Sequence, residues 1–263
     1  MQTMTNNLID ELLCQMDTIT LEEMDHVRLM RRRDVKYVVP KSVVHNILGK
    51  VAAKYRVLDI DGLRMQDYHT RYYDTPSRHM YHQHHNRRLN RYKIRLRKYT
   101  NSNLTFLEIK FKNNRGETIK KRICSEKETS ISGISSDIFI SENSPYSTGE
   151  IYPALLNNFK RITLVHKTSP ERLTIDVNLS FSGVDIIDFK EFHGLAVIEI
   201  KRDRDAKHSD MISQLRREHY QSMGFSKYCI GTAILMPDVK KNLFRQRIRQ
   251  VQKLEASFHE TTI

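Results

Sequence analysis

Tyr92-Lys93-Ile94-Arg95-Leu96-Arg97 sets a cation at every second position, with apolar residues between. Phe106-Leu107-Glu108-Ile109-Lys110-Phe111-Lys112 repeats the pattern, with Glu108, Lys110 and Lys112 in phase. Thr118, Lys120 and Arg122 alternate with Ile119 and Ile123, and Glu199 and Lys201 with Ile198 and Ile200. Arg172, Thr174, Asp176 and Asn178 alternate with Leu173, Ile175, Val177 and Leu179. Strand side chains point to opposite faces in turn, so each segment presents one charged and one apolar face. Taken singly, each fits an antiparallel sheet with one solvated side. Together they fit it less well, because a solvated face mixes signs and carries Ser, Thr and Gln, whereas these faces are dense in Arg and Lys. Glu-Ile-Lys occurs at both 108–110 and 199–201, which suggests two similar faces looking at each other.

If the sheet closes with its charged face inward, the interior is a wet tunnel lined by cations. Empty, such a lining repels itself; a polyanion would relieve it. Nucleic acid is the less suitable filling. Readers of single strands interleave aromatics with cations for stacking, the charged faces here carry almost none, and Trp is absent. The faces also carry Glu108, Asp176 and Glu199, which repel phosphate unless a divalent metal bridges them. Carboxylates and metal among Arg and Lys clamps belong to phosphoryl transfer, where positioning and charge stabilisation supply most of the rate. The sequence has neither GxxxxGK[ST] nor GxGxxG, so side chains would have to hold the phosphates.

The elements that must position these residues can be read from periodicity. Leu8 to Met16 and Ser42 to Ala53 have helical spacing, and Thr20-Leu21-Glu22-Glu23 reads as a capping box. Asp34 to Val39 reads as a strand ended by Pro40, and further strands are expected at 68–73, 92–97, 106–112, 118–123, 162–166, 172–179 and 196–201. The serine-rich stretch 125–149 reads as a loop or insertion. Ser209 to Met223 reads as a helix ended by Gly224, Lys227 to Met236 as a strand, and Val239 to Phe258 as a basic helix. The fold class expected is mainly β with peripheral helices (α+β), an antiparallel β-barrel tunnel with a charged interior. Its parts would be an N-terminal helical segment (1–30), the tunnel barrel (31–236) and the C-terminal helix (237–263).

The chain has 263 residues, Lys+Arg 44 against Asp+Glu 31, and a formal charge of +13. With 39% hydrophobic residues it can bury a core. No apolar run reaches the ~18 residues of a membrane span, and no secretory leader is evident. Three separated cysteines without CxxC spacing read as free thiols of a reducing compartment. The expected location is cytoplasmic, or at a membrane through a membrane-protein partner.

The strands taken together resemble the catalytic domain of the vacuolar transporter chaperone (VTC) polyphosphate polymerases, within the triphosphate tunnel metalloenzymes. Asp34 to Val39 resembles that family's opening Lys-Tyr strand, Tyr72-Tyr73-Asp74-Thr75 its Tyr-Phe-Asp segment, and Arg95-Leu96-Arg97 its Arg-x-Arg pair. Phe106 to Lys110 is similar to its Glu-x-Lys strand, followed by Lys120-Lys121-Arg122, and Arg172 to Asp176 to its Arg-Ile-Ser-Leu-Asp strand. Ala196 to Lys201 and Ser226-Lys227-Tyr228 complete the set. The resemblance implies a barrel that transfers the terminal phosphate of ATP, or another nucleoside triphosphate, onto orthophosphate or inorganic polyphosphate. It implies that Lys36, Arg95, Arg97, Lys110, Lys120, Arg172 and Lys227 clamp phosphates and that Ser226 donates a hydrogen bond to one. Lys93, Arg122 and Lys201, on the same charged faces, join the phosphate-binding set. Glu199 would hold Mn²⁺ or Mg²⁺, with Glu108 and Asp176 as further candidate ligands.

The first strand departs from the Glu-x-Glu-x-Lys of the triphosphatase and adenylate-cyclase branch, carrying Arg32-Arg33-Asp34-Val35-Lys36 instead. Fewer acids favour one metal, and a polymerase. The phosphate-sensing SPX domain and membrane anchor of the eukaryotic enzymes are not found in this sequence. Two rivals stay open: a triphosphatase of the same fold, and a non-catalytic binder of polyphosphate or RNA. His79, His82, His84 and His85 read as a solvated basic loop, with a structural metal site as the alternative. The C-terminal helix is expected to close one tunnel mouth with an apolar seam, and Tyr37, Tyr72, Tyr73 and Tyr228 to pack core or tunnel wall.

Overall fold

The computed structural model describes residues 2–26, 32–184 and 188–260, so the boundary expected at residue 31 lies outside them. The N-terminal part runs α1 (Gln2–Gln15), β1 (Thr18–Ile19), α2 (Leu21–His26), β2 (Arg32–Pro40), α3 (Val44–Val51) and β3 (Tyr55–Leu58). The middle runs β4 (Gln66–Asp74), α4 (His79–His85), β5 (Arg91–Tyr99), β6 (Leu104–Lys112), β7 (Thr118–Cys124) and α5 (Ile134–Asn143). The C-terminal part runs β8 (Tyr152–His166), β9 (Glu171–Ser182), β10 (Phe189–Asp203), α6 (Asp210–Arg217), α7 (Lys227–Leu235) and α8 (Arg245–Glu260). The capping box forms as read: Thr20 N–H donates to Glu23, and Glu23 N–H to Thr20 Oγ1.

Ten strands of the described residues join one sheet, eight of them in the order β2-β10-β9-β8-β4-β5-β6-β7, antiparallel at every step. β3 pairs with the end of β8, and β1 runs parallel to β3. Register fixes the faces. On one side, Ile198, Ile175, Ile162 and Tyr37 pack against α1, α3 and α6 through Ile9, Leu13, Ile47 and Leu215. Farther along that side, Ile94, Leu96, Leu107 and Ile109 pack against Phe139 and Ile140 of α5. With its apolar face clothed in helices, the sheet curls so that the charged rows lie on its concave side.

The closed barrel expected from sequence is corrected. β2 and β7 are the ends of the strand order and, among the described residues, share no ladder, so the sheet is curled but open. Pairing these edges would set Lys120, Lys121 and Arg122 of β7 against Arg33 and Lys36 of β2, and charged edges resist pairing.

One end of the concavity is filled by α7. Lys227 to Met236 is therefore a helix, not the strand expected: Tyr228, Ile230, Ala233 and Leu235 are all buried, and a segment apolar all round has no period to read. Ser226 caps it, accepting the Cys229 N–H at 3.3 Å. Asp74 fastens this plug, accepting the Tyr228 hydroxyl at 2.5 Å and the Met80 and Tyr81 N–H groups at the start of α4. α8 lays Val251, with Ile248 and Leu254, against the same apolar cluster, as its seam suggested.

Three further expectations change. α6 stops at Arg217 rather than Met223, because His219 takes a left-handed φ of 61° and its N–H and that of Tyr220 bond back to Arg216 and Leu215. This is a Schellman end without glycine. The 125–149 loop contains α5, held by burial of Phe139 and Ile140. The histidine-rich loop is α4, with His85 buried. Among the described residues no helix is long and apolar enough to cross a membrane.

Gly231 of α7 sits so close to the sheet that a Cβ there would lie 2.5 Å from the Phe181 ring and 2.8 Å from Leu155. Gly231→Ala is predicted to cost about 1–3 kcal/mol by overpacking, read as a lower midpoint in urea. An unchanged midpoint would mean that α7 is not seated this closely.

Candidate functional site

Three carboxylates organise the concave face, each between two cations. Glu108 of β6 lies directly opposite Arg95 of β5 and takes Arg95 Nη2 at 2.5 Å and Nε at 2.7 Å, while Lys120 reaches its other oxygen from β7. Asp176 of β9 accepts Arg161 of β8 at 2.6 and 2.8 Å and is also paired with Lys227 of α7. Glu199 of β10 meets Lys36 of β2 at 3.2 Å and Lys201 at 3.5 Å. Glu108 is fully buried and the Asp176 side chain 3% exposed, but Glu199 keeps 18%. Its contacts are also the longest of the three sets.

The start of α7 ties the walls together across the concavity. Lys93 of β5 donates to Ser226 Oγ at 2.9 Å, and Lys36 donates to the Phe225 carbonyl at 3.1 Å. Lys227 adds a cation–π contact, 4.3 Å from the Phe159 ring. Register places Thr174 opposite Glu199, and Arg172 opposite Lys201. Thr174 Oγ1 is buried without a hydrogen-bond partner.

Enclosure acts on the three carboxylates and on several of the cations beside them. Burial pushes the Glu199 carboxyl up, but Lys201, Lys36 and Lys110 outweigh it and hold it well below its ordinary value. The same contest depresses Glu108, through Arg95, Arg97 and Lys120, and Asp176, through Arg161 and Lys227. The lysines move the other way. Arg95, with burial, pulls Lys110 far down, and burial lowers Lys93 and Lys120 to about 8. Arg97 is lowered by burial and by Arg95 beside it. Charge of one sign is held here in excess.

The structure thus gathers Lys36, Lys93, Arg95, Arg97, Lys110, Lys120, Lys201, Ser226 and Lys227 around the three carboxylates. Arg122 stands directly opposite Glu108 in the β6–β7 register, but it is exposed and its guanidinium lies over the Phe106 ring at 4.6 Å. Sequence reading missed Arg161. It alternates in phase with Asn157, Phe159 and Thr163 on β8, a strand expected to begin only at Ile162; carrying the period back one step would have found it.

No group of three or more His, Cys, Asp and Glu side chains gathers as a metal cage among the described residues. Glu108 and Asp176 each spend their charge on two cations. Glu199, partly exposed and loosely paired, fits a divalent ion that takes its other ligands from substrate phosphates, as Mg²⁺ commonly does.

Known proteins give the following likenesses. A family model described as the VTC domain matches residues 31–236. No curated protein matches. Among solved structures, a Vibrio parahaemolyticus protein proposed as an adenylate cyclase shares 12% identity, covering 76% of this chain and 96% of its own, with a TM-score of 0.46. A Bacillus halodurans protein, also proposed as an adenylate cyclase, shares 12% over 75% and 96%, with a TM-score of 0.46. A Hippeastrum protein proposed as an adenylyl cyclase, in which triphosphatase activity dominates, shares 15% over 79% and 98%, with a TM-score of 0.44.

Glu108→Gln is predicted to cost about 3–5 kcal/mol at neutral pH, since it leaves Arg95 and Lys120 without their buried counter-charge. The folded carboxyl titrates below its ordinary 4.5. Its stabilisation is therefore complete above pH 4.5 and lost as pH falls below it, and the variant should lose part of the wild-type decline in acid. Unfolding curves at pH 7 and pH 3 check both; parallel declines would remove Glu108 from this role. A second prediction concerns Lys93 and Lys120. Bound anion favours their protonated forms, so sulfate, whose charge is constant, should bind more weakly as pH rises through about 8. Calorimetry showing equal affinity at pH 7 and pH 10 would contradict it.

Proposed function

Because the chain belongs to the VTC domain family, we propose that it is a polyphosphate polymerase that uses ATP or another nucleoside triphosphate. The observation that carries this reading is the enclosed excess of cations, bound to one another through only a few carboxylates. A concavity whose lysines are already being driven toward neutrality gains most from a ligand that brings many negative charges in a row. Inorganic polyphosphate and the triphosphate of a nucleotide are such ligands.

In the proposed reaction an oxygen of orthophosphate, or of the chain end, attacks the terminal phosphorus of the triphosphate. The bond from that phosphorus to the bridging oxygen breaks, the nucleoside diphosphate leaves with the electron pair, and the acceptor grows by one phosphate. Lys36, Arg95, Arg97, Lys110, Arg172 and Lys227 hold donor and acceptor phosphates in line. Lys93, Lys120, Arg122, Lys201 and Ser226 contact phosphates farther along, and Arg161 joins the clamp through Asp176. Such groups act by positioning and by meeting charge on the phosphoryl oxygens. Glu199 would share Mn²⁺ or Mg²⁺ with the phosphates, an ion that neutralises those oxygens when bound. Glu108 and Asp176 keep their cations aimed inward. No protein nucleophile is needed.

Purified protein incubated with ATP and Mn²⁺, with products resolved by size, tests the proposal. Phosphate chains longer than the donor are expected. Orthophosphate alone would make the protein a triphosphatase, and unchanged ATP with tight anion binding would make it a binder. Glu199→Gln is expected to abolish turnover while anion affinity holds or rises; a variant that turns over normally removes Glu199 as metal ligand.

A further inference from the structure

The histidine-rich helix α4 does not belong to the clamp, yet it stands beside it. The Tyr81 hydroxyl donates to the Lys240 carbonyl at 2.8 Å, and His85 Nε2 accepts the Leu243 N–H at 3.3 Å, fastening α4 to the segment that leads into α8. Phe244 fills the angle between them. Its ring lies 6.0 Å from the His84 ring, and the Arg247 guanidinium stands 5.8 Å above it. Arg247 also reaches toward Gly224, at the entry to α7. α4 packs on β5 as well, where Arg91 lies directly opposite Lys112 of β6, next to the Lys93–Lys110 pair.

Like charges facing each other across a ladder destabilise a sheet, and here two such pairs follow in succession. Among the described residues, no carboxylate is paired with Arg91, Lys93, Lys112 or Arg247. His84 stands amid the four. Burial, with Lys93, Arg91, Arg247 and Lys112, drives its pKa far down, so the imidazole stays neutral. Its Nδ1 is buried without a partner, and a neutral ring protonated at that nitrogen is a hydrogen-bond donor. Half-buried cations without counter-ions, around an unused donor, make a receptor for an anion.

We propose that Arg91, Lys112, Arg247 and His84 form a second phosphate-binding subsite, beside the α7 plug, for the distal phosphates of a long inorganic polyphosphate. The proposal rests on the polyphosphate reading of the concave face and extends it. Arg91 precedes Arg95 by four residues on β5, ~13 Å at the rise of a strand, farther than three linked phosphates span. A tripolyphosphate held at Arg95 therefore leaves the subsite empty, whereas a long chain occupies both. The subsite selects for chain length.

The test compares calorimetric affinities for tripolyphosphate and for a long linear polyphosphate at fixed salt, in wild type and in the double variant Arg91→Gln, Arg247→Gln. The long chain should bind at least about tenfold more weakly to the variant, the expected loss for charge-assisted hydrogen bonds, while tripolyphosphate binds as before. Equal weakening of both ligands, or of neither, overturns the subsite. Should the double variant not fold, as judged by its unfolding curve, Lys112→Gln on the half-buried end of β6 makes the same comparison with the same outcomes. Binding is read without turnover. A protein that holds long chains but makes none therefore refutes the polymerase alone, and one that makes chains without the selective loss refutes the subsite alone.

Discussion

Like charge held close in a poorly solvated hollow is the constraint to which the rest of this structure answers. Two cations 4 Å apart repel by about 4 kcal/mol at the effective dielectric of a protein surface, and Arg95, Arg97 and Lys110 share one patch of two neighbouring strands. Glu108, Asp176 and Glu199 make the arrangement tolerable by each standing between two cations. The offset is incomplete, as the lowered lysines record. What the carboxylates leave over is an attraction for a multiply charged anion.

Bringing these side chains together takes a sheet that bends far enough for β5 and β6 to look toward β10 and β2. The apolar halves of the same alternating strands supply the bend. They anchor α1, α3, α5 and α6 on the outside, while α7 and α8 occupy one end of the inside. Ser226, which caps α7 and receives Lys93, serves helix and site in one contact. A change that unseats the plug would thus disturb cations on two walls together.

Much of this was legible because strand alternation writes burial and charge into the same period. The inward rows from Lys36 to Lys201, the capping box at Thr20 and the apolar seam of α8 could be read directly. Where the pattern was silent, reading failed. α7 is apolar on every side, so nothing distinguished helix from strand at Lys227. Arg161 lay one residue outside the expected strand. α5 rests on Phe139 and Ile140, two burials amid serines, and α6 ends on a histidine in a conformation usually given to glycine. Closure of the sheet depends on what two distant edges would do on meeting, which no single segment encodes.

The missing ladder between β2 and β7 bears on how the hollow can respond to its contents. A closed barrel has a girth fixed by strand number and stagger, and widening it means tearing backbone hydrogen bonds. Here β2 and β5 are joined through the start of α7 by long side chains, Lys36 to the Phe225 carbonyl and Lys93 to Ser226, and such side chains swing between rotamers at small expense. The hollow can therefore behave as a calliper, changing its gape without breaking a ladder bond.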